Sequence, residues 1–259
     1  MRDKNSPIGF FDSGIGGLSV LAYAREYMPL ENYIFYGDSG NIPYGEKSPE
    51  EIKRLTIAAC DKLFEMGAKA LLIACNTATS AAIYDMRAKY QIPVISMEPA
   101  IKPACEKAAG EVLVMATPST IKSERYHKLA ERLGCEERIY NLPCKGLADL
   151  LETGDFKNVA IDVYLDALFA PLKGHKFGAV VIGCTHYSFI TEQIKCALKR
   201  HTGSEAEVFD GRYGTVHHLK NSLAALDLLR EAPGGEIAFH SSGTEENLKI
   251  MQKIISDFS

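Results

Sequence analysis

Short apolar runs alternate along the chain with longer stretches in which apolar residues recur every three or four positions. The runs read as strands buried on both faces of a parallel sheet, and the stretches between them as amphipathic helices. Ile8–Phe11 opens the series as a strand, and the turn Asp12-Ser13-Gly14-Ile15-Gly16-Gly17 follows it. Leu18–Met28 reads as a helix stopped by Pro29, and Tyr33–Tyr36 as a second strand. Ser48-Pro49-Glu50-Glu51 starts the next helix, with Ser48 as cap, Pro49 in the first turn and Glu51 closing a capping box. A strand opens at Ala70, Thr77–Tyr90 is helical, and Ile92–Met97 is a strand. After Glu98-Pro99 the alternation restarts with helix Ala100–Ala109 and strand Val112–Ala116. A helix capped by Ser119 or Thr120 should run through Leu133, followed by a weaker strand at Arg138–Leu142 and helices at Lys145–Thr153 and Asp155–Leu172. Strand Ala179–Ile182, helix Phe189–His201, strand Glu207–Phe209, helix Thr215–Glu231, strand Ile237–His240 and helix Glu245–Phe258 complete the pattern.

One segment occurs twice. ALLIACNTA at Ala70–Ala78 and AVVIGCTH at Ala179–His186 superpose at a single offset, which puts Cys75 on Cys184. Strand Ile8–Phe11 ends in Asp12 and strand Val112–Ala116 ends in Thr117, at nearly the same offset. Regular alternation of strand and helix predicts an α/β fold with mainly parallel sheets flanked by helices. The repeat predicts two similar domains related by a pseudo-twofold axis, with the active site in the cleft between them. Residues 1–97 plus 207–259 are expected to form the first domain and 98–206 the second. No Gly/Ser-rich linker separates them, so the domains should pack closely.

Composition narrows the setting. The 259 residues are 46% apolar and 24% charged, as in an ordinary soluble protein. A net charge of −4 and a pI near 6 give no basic surface for a nucleic-acid partner. No apolar run approaches the roughly 20 residues that cross a bilayer, and MRDKNSPIGFFDSG lacks the apolar core of a signal peptide. The seven cysteines include no CxxC pair, which argues against a disulfide framework and for a reducing cytoplasm.

Ligands of open α/β sheets sit beyond the carboxyl ends of the strands, where Cys75 and Cys184 fall. A buried cysteine is usually a small apolar residue, and that reading suits Cys60, Cys105, Cys135 and Cys196. It suits the duplicated pair less well, because polar residues follow each one. A free thiol titrates near ~8.5, so one thiolate and one thiol on opposite faces of a molecule could remove and return a proton. His186 would tune the second thiol or occupy the core. A zinc site built from Cys75, Cys184 and His186 matches no compact ligand spacing. Asp12 and Ser13 either cap a helix or act in the cleft, and backbone N–H groups at Gly14–Gly17 could hold a carboxylate. Asn76, Thr77 and Thr185 could cap helices or contact a ligand. Gly14-Ile15-Gly16 with Asp38 imitates a dinucleotide fingerprint, but Ser19 stands at the third glycine position. Glu152 alone reads as a solvated charge near a helix end.

Taken together, FFDSGIGGLSVL, YGDSGNIPYGEKS, LLIACNTATS, SMEPAIKPA, ATPSTIKS, LLETG and VIGCTHY resemble, in order, the motifs of the glutamate racemases. The match runs from Ile8 to about Asp210. The resemblance implies interconversion of L- and D-glutamate without pyridoxal phosphate or any other cofactor, supplying D-glutamate for peptidoglycan. It implies Cys75 and Cys184 as the two bases, the first serving D-glutamate and the second L-glutamate. Asp12, Glu152 and His186 would assist them. Substrate contacts would come from Asp12, Ser13, Tyr44, Gly45, Asn76, Thr77, Thr117, Thr120, Thr185 and His186. A homodimer is implied as well. Aspartate racemase, or another two-cysteine racemase, is the neighbouring alternative. Some glutamate racemases are reported to restrain DNA gyrase, so a gyrase partner enters by resemblance alone. Members activated by a cell-wall precursor often carry a longer N-terminal extension, whereas seven residues precede Ile8 here, so no such activation is expected. Two departures stand out. Ser188 replaces the usual proline after GCTHY and should loosen that loop, and DGRYGTVHH departs from a DSG-type pattern.

Overall fold

The computed structural model describes residues 2–257. In chain order the first elements are β1 (Ile8–Asp12), α1 (Leu18–Tyr27), β2 (Tyr33–Gly37), α2 (Pro49–Glu65), β3 (Ala70–Ile73), α3 (Asn76–Lys89) and β4 (Val94–Ser96). Next come α4 (Ile101–Lys107), β5 (Glu111–Ala116), α5 (Pro118–Lys122), α6 (Glu124–Leu133), β6 (Ile139–Pro143), α7 (Leu147–Leu151), α8 (Val159–Phe169) and β7 (Phe177–Ile182). The chain closes with α9 (Thr191–Thr202), β8 (Glu207–Asp210), α10 (Gly211–Ala225), β9 (Ile237–Ser241) and α11 (Glu245–Asp257). The expected last residue of that helix, Phe258, lies outside the described residues.

Two parallel sheets result, in the orders β4-β3-β1-β2-β9 and β8-β7-β5-β6. The four-strand order is the same in both, with β1, β2, β3 and β4 matched by β5, β6, β7 and β8. The inner strands are apolar at almost every position, and because successive side chains point to opposite faces they fill a core on each side of their sheet. Phe10, Phe35 and Leu72 enter one core, and Phe11, Leu71 and Ile73 enter the core on the other side. Leu113, Val180 and Ile182 oppose Val112, Val114 and Val181 in the same way. Fully burying each such side chain contributes about 1.5–3 kcal/mol.

The predicted division at residue 207 is not where the chain changes sheet. β8 pairs with β7, and Phe209 is buried in the core of the second sheet. The return comes after Asp210, where α10 sends Val216, Leu219 and Leu223 into the core of the first sheet. α10 also begins four residues before the expected start. Asp210 caps it by accepting from the Arg212 N–H at 2.9 Å, which compensates for two glycines in the first turns. The helix expected through Leu133 is two helices: Thr117 caps α5, Ser123 caps α6, and the chain breaks at Ser123. Half of the predicted capping box forms, since Ser48 Oγ accepts from the Glu51 N–H at 3.2 Å while the Glu51 carboxylate turns to Arg54. The long helix expected from Asp155 starts only at Val159, where Asn158 Oδ1 accepts from the Ala160 N–H at 2.9 Å. Among the described residues, no helix is long and apolar enough to cross a membrane.

Candidate active site

Both duplicated strands hand over to the site in the same way. Past β3 the Ala74 N–H donates to Phe11 O at 2.8 Å, and past β7 the Gly183 N–H donates to Met115 O at 2.8 Å. Each extra ladder bond aims the next residue, Cys75 or Cys184, beyond the sheet edge. The two cysteines line one cavity of about 420 Å³, both nearly buried at 6% and 7% exposure. Ser13, Tyr44, Gly45, Asn76, Thr77 and Thr117 share its wall, as do Glu152, Thr185 and His186. Two predicted residues stand behind that wall. Asp12 is fully buried below it, and Thr120 supports Thr77 from behind at 3.2 Å.

The surroundings of the two sulfurs differ. Cys75 caps α3, its sulfur accepting from the Ala78 N–H at 3.4 Å, and Ser13 Oγ lies 3.3 Å away. Burial, and after it the Asp12 carboxylate, push the Cys75 thiol up to about 12, against the pull of Ser13 and the Ala78 N–H. Cys184 instead faces His186 Nδ1 at 3.7 Å, and His186 Nε2 is 2.6 Å from Glu152 Oε2. Burial alone would drive the His186 ring toward its neutral form. Hydrogen bonds and negative charge from Cys184 and Glu152 outweigh it and hold the ring well above the usual imidazole range. A cationic ring beside that sulfur can offset negative charge developing on it.

The glycine-rich turn does hold a carboxylate, and it is the protein's own. The Ile15 N–H donates to both oxygens of Glu152, at 3.2 and 3.1 Å, and the Gly14 N–H donates to Asp12 Oδ1 at 3.0 Å. A side chain at Gly14 would strike the Glu152 carboxylate, and one at Gly16 would strike Thr185 and His186. At Gly16 the short Thr185 side chain and the His186 ring leave no room for a Cβ, and at Gly14 one would push the Glu152 carboxylate off the Ile15 N–H. Thr185 Oγ1 donates to Asp12 Oδ2 at 3.1 Å and completes the seam. Burial pushes the Asp12 carboxyl up to about 6, partly offset by the His186 charge and the Gly14 N–H.

On the opposite flank Thr77 Oγ1 lies 2.9 Å from Thr117 Oγ1 and so joins the two sheets' loops. Among the described residues neither amide atom of Asn76, both buried, has a partner, although the residue lines the cavity. Asp38 is not free for a ribose, because it accepts from Tyr44 OH at 2.6 Å and from the Asn41 amide at 3.0 Å. Cys75, Cys184 and His186 do not form a ligand set; among the described residues no group of three or more His, Cys, Asp or Glu could hold a metal ion. Ser188 does not loosen its loop either. It donates to Asp210 Oδ2 at 2.6 Å, so one departure from the racemase pattern anchors the segment that contains the other.

Two further residues belong to the site: Ser39, whose hydroxyl donates to Glu152 Oε1 at 2.9 Å, and Cys144, which lines the cavity. Both follow strand ends, β2 and β6, so the rule that singled out Cys75 applies to them as well. Lys122, Lys145 and Asp149 also line the cavity and carried no distinguishing signal.

A sequence profile described as Asp/Glu/hydantoin racemase matches residues 19–212. Glutamate racemase of Clostridium perfringens is 43% identical over 256 residues, covering 97% of each chain. A glutamate racemase isoform of Bacillus anthracis has a similar solved structure, with TM-score 0.87, 26% identity and coverage of 98% of this chain and 95% of that one. The Francisella tularensis glutamate racemase, solved in complex with D-glutamate, aligns with TM-score 0.84 and 26% identity, covering 98% and 94%.

Proposed function

The chain belongs to the Asp/Glu/hydantoin racemase family, and we propose that it interconverts L- and D-glutamate by proton transfer between two thiols. Racemases of this family work without pyridoxal phosphate. The observation that carries the reading is the shared cavity, with Cys75 and Cys184 both facing it from equivalent strand ends.

The Cys184 thiolate takes the α-proton of L-glutamate, leaving a carbanion conjugated with the α-carboxylate. The Cys75 thiol delivers its own proton to the opposite face and becomes the thiolate. D-Glutamate leaves, and the reverse reaction starts from that protonation state. His186, charged and held by Glu152, supports negative charge on the Cys184 sulfur. Cys75, held protonated by its surroundings, enters as the acid. The unpartnered Asn76 amide and the hydroxyls of Ser13 and Thr77 offer hydrogen bonds to the substrate's carboxylates, and those of Thr117 and Thr185 would do so on turning away from Thr120 and Asp12. Leaving the Asn76 amide unpaired costs about 1–3 kcal/mol, which a ligand would recover. The product would supply D-glutamate for peptidoglycan.

Purified, dialysed protein should racemise glutamate, followed by circular dichroism, with no cofactor added. Faster racemisation of aspartate would move the reading to the neighbouring alternative. A requirement for NAD would revive the dinucleotide reading. In deuterium oxide, Cys75→Ala should exchange the α-hydrogen of L-glutamate without racemising it, and Cys184→Ala should do the same for D-glutamate. Wild-type racemisation by Cys75→Ala would end the scheme.

A further inference from the structure

Glu152 belongs to the loops of the second sheet, following α7 at its carboxyl end, where the helix dipole gives a carboxylate no help. Its position is set from the first sheet. The Ile15 N–H is shared between both oxygens, at 3.2 and 3.1 Å, so it anchors the group without choosing between them. Ser39 Oγ donates to Oε1 alone at 2.9 Å, and Oε2 alone reaches His186 Nε2 at 2.6 Å. Ser39 and Glu152 are each only 8% exposed, so bulk water does not replace this bond. Asp38, next to Ser39, is engaged by Tyr44 and Asn41, which fixes the backbone that presents the hydroxyl.

We propose that Ser39 is a positioning residue for racemisation: it holds Oε1 of Glu152 so that Oε2 faces His186, and through that ring it acts on Cys184 and not on Cys75. The inference rests on the two-thiol reading above. Because the bond runs from one sheet's loops to the other's, the Cys184 side is organised only when the two are in contact.

Enantiomers have equal free energies in water, so kcat/KM must fall equally in both directions in any variant. Ser39→Ala should lower both by about tenfold, the worth of a hydrogen bond to a charged group. The side affected shows in isotope effects on kcat/KM. With α-deuterated L-glutamate the effect should rise, because Cys184 takes that hydrogen, while with α-deuterated D-glutamate it should fall. In a Glu152→Gln background Ser39→Ala should cost little more. Ser39→Cys, similar in size but a weaker donor, should fall between wild type and Ser39→Ala, and it serves if the alanine variant does not fold. Isotope effects that move together for both enantiomers, or losses that multiply in the double variant, overturn the inference. If wild type fails to racemise glutamate, the underlying reading fails instead.

Discussion

The two sulfurs sit at matching points of matching strands, yet their neighbours are chemically unlike. Cys75 has a hydroxyl, a backbone N–H and a buried carboxylate. Cys184 has an imidazole backed by a second carboxylate. A repeated fold therefore places the two groups and does not make them equivalent. The first thiol is kept protonated by burial beside negative charge, and the second has a cation at hand. Racemisation tolerates this asymmetry because equal substrate and product energies constrain the whole cycle and leave each step free to differ.

The comparison is broken most completely by removing either sulfur. Cys75→Ser and Cys184→Ser should each lose at least about a thousandfold in kcat, since a hydroxyl is far less acidic than a thiol. Equal residual exchange from both enantiomers in one such variant would refute the assignment of faces. Glu152→Gln comes next, with an expected loss of about a hundredfold and a His186 ring that gives up its proton at lower pH, visible by NMR titration. On the Cys75 side, Thr77→Val removes the link to Thr117 and Thr120 and should raise KM more than it lowers kcat, by about tenfold.

Asp12 sharpens the contrast through stability. Its carboxyl keeps a proton up to about 6, against 3.8 for an ordinary one. The stabilisation from that proton is complete below about pH 4 and is lost as pH rises through 6. Asp12→Asn should therefore gain on wild type between pH 4 and 7, by up to about 3 kcal/mol, measured by denaturant melts. The smallest effect is expected for Ser188→Ala, which removes the bond to Asp210 and should cost about 1 kcal/mol with little change in kcat.

The pair of thiols was legible because an apolar run with a terminal cysteine occurs twice, and local pattern carries that information. The order of strands was legible only in part. Glu207–Asp210 has the same signature whichever sheet receives it, and its partner is chosen by packing of Phe209. The break at Ser123 is hard to read because one residue ends the first helix and caps the second, so no loop marks it. Glu152 read as a solvated charge since its partners, Ile15, Ser39 and His186, are 137, 113 and 34 residues away. The anion-holding turn is a local pattern, whereas its occupant comes from 137 residues away and leaves no local mark. Ser39 and Cys144 could have been found by extending the strand-end rule to every strand.

Gly16 carries a consequence of its own. Nothing in its local backbone forbids a side chain, yet the room for one is already taken by Thr185 and His186. A single methyl group there would act as a wedge, prising apart surfaces drawn from distant stretches of chain. Any tally of tolerated substitutions should show this site as rigidly restricted, for a cause lying some 170 residues downstream.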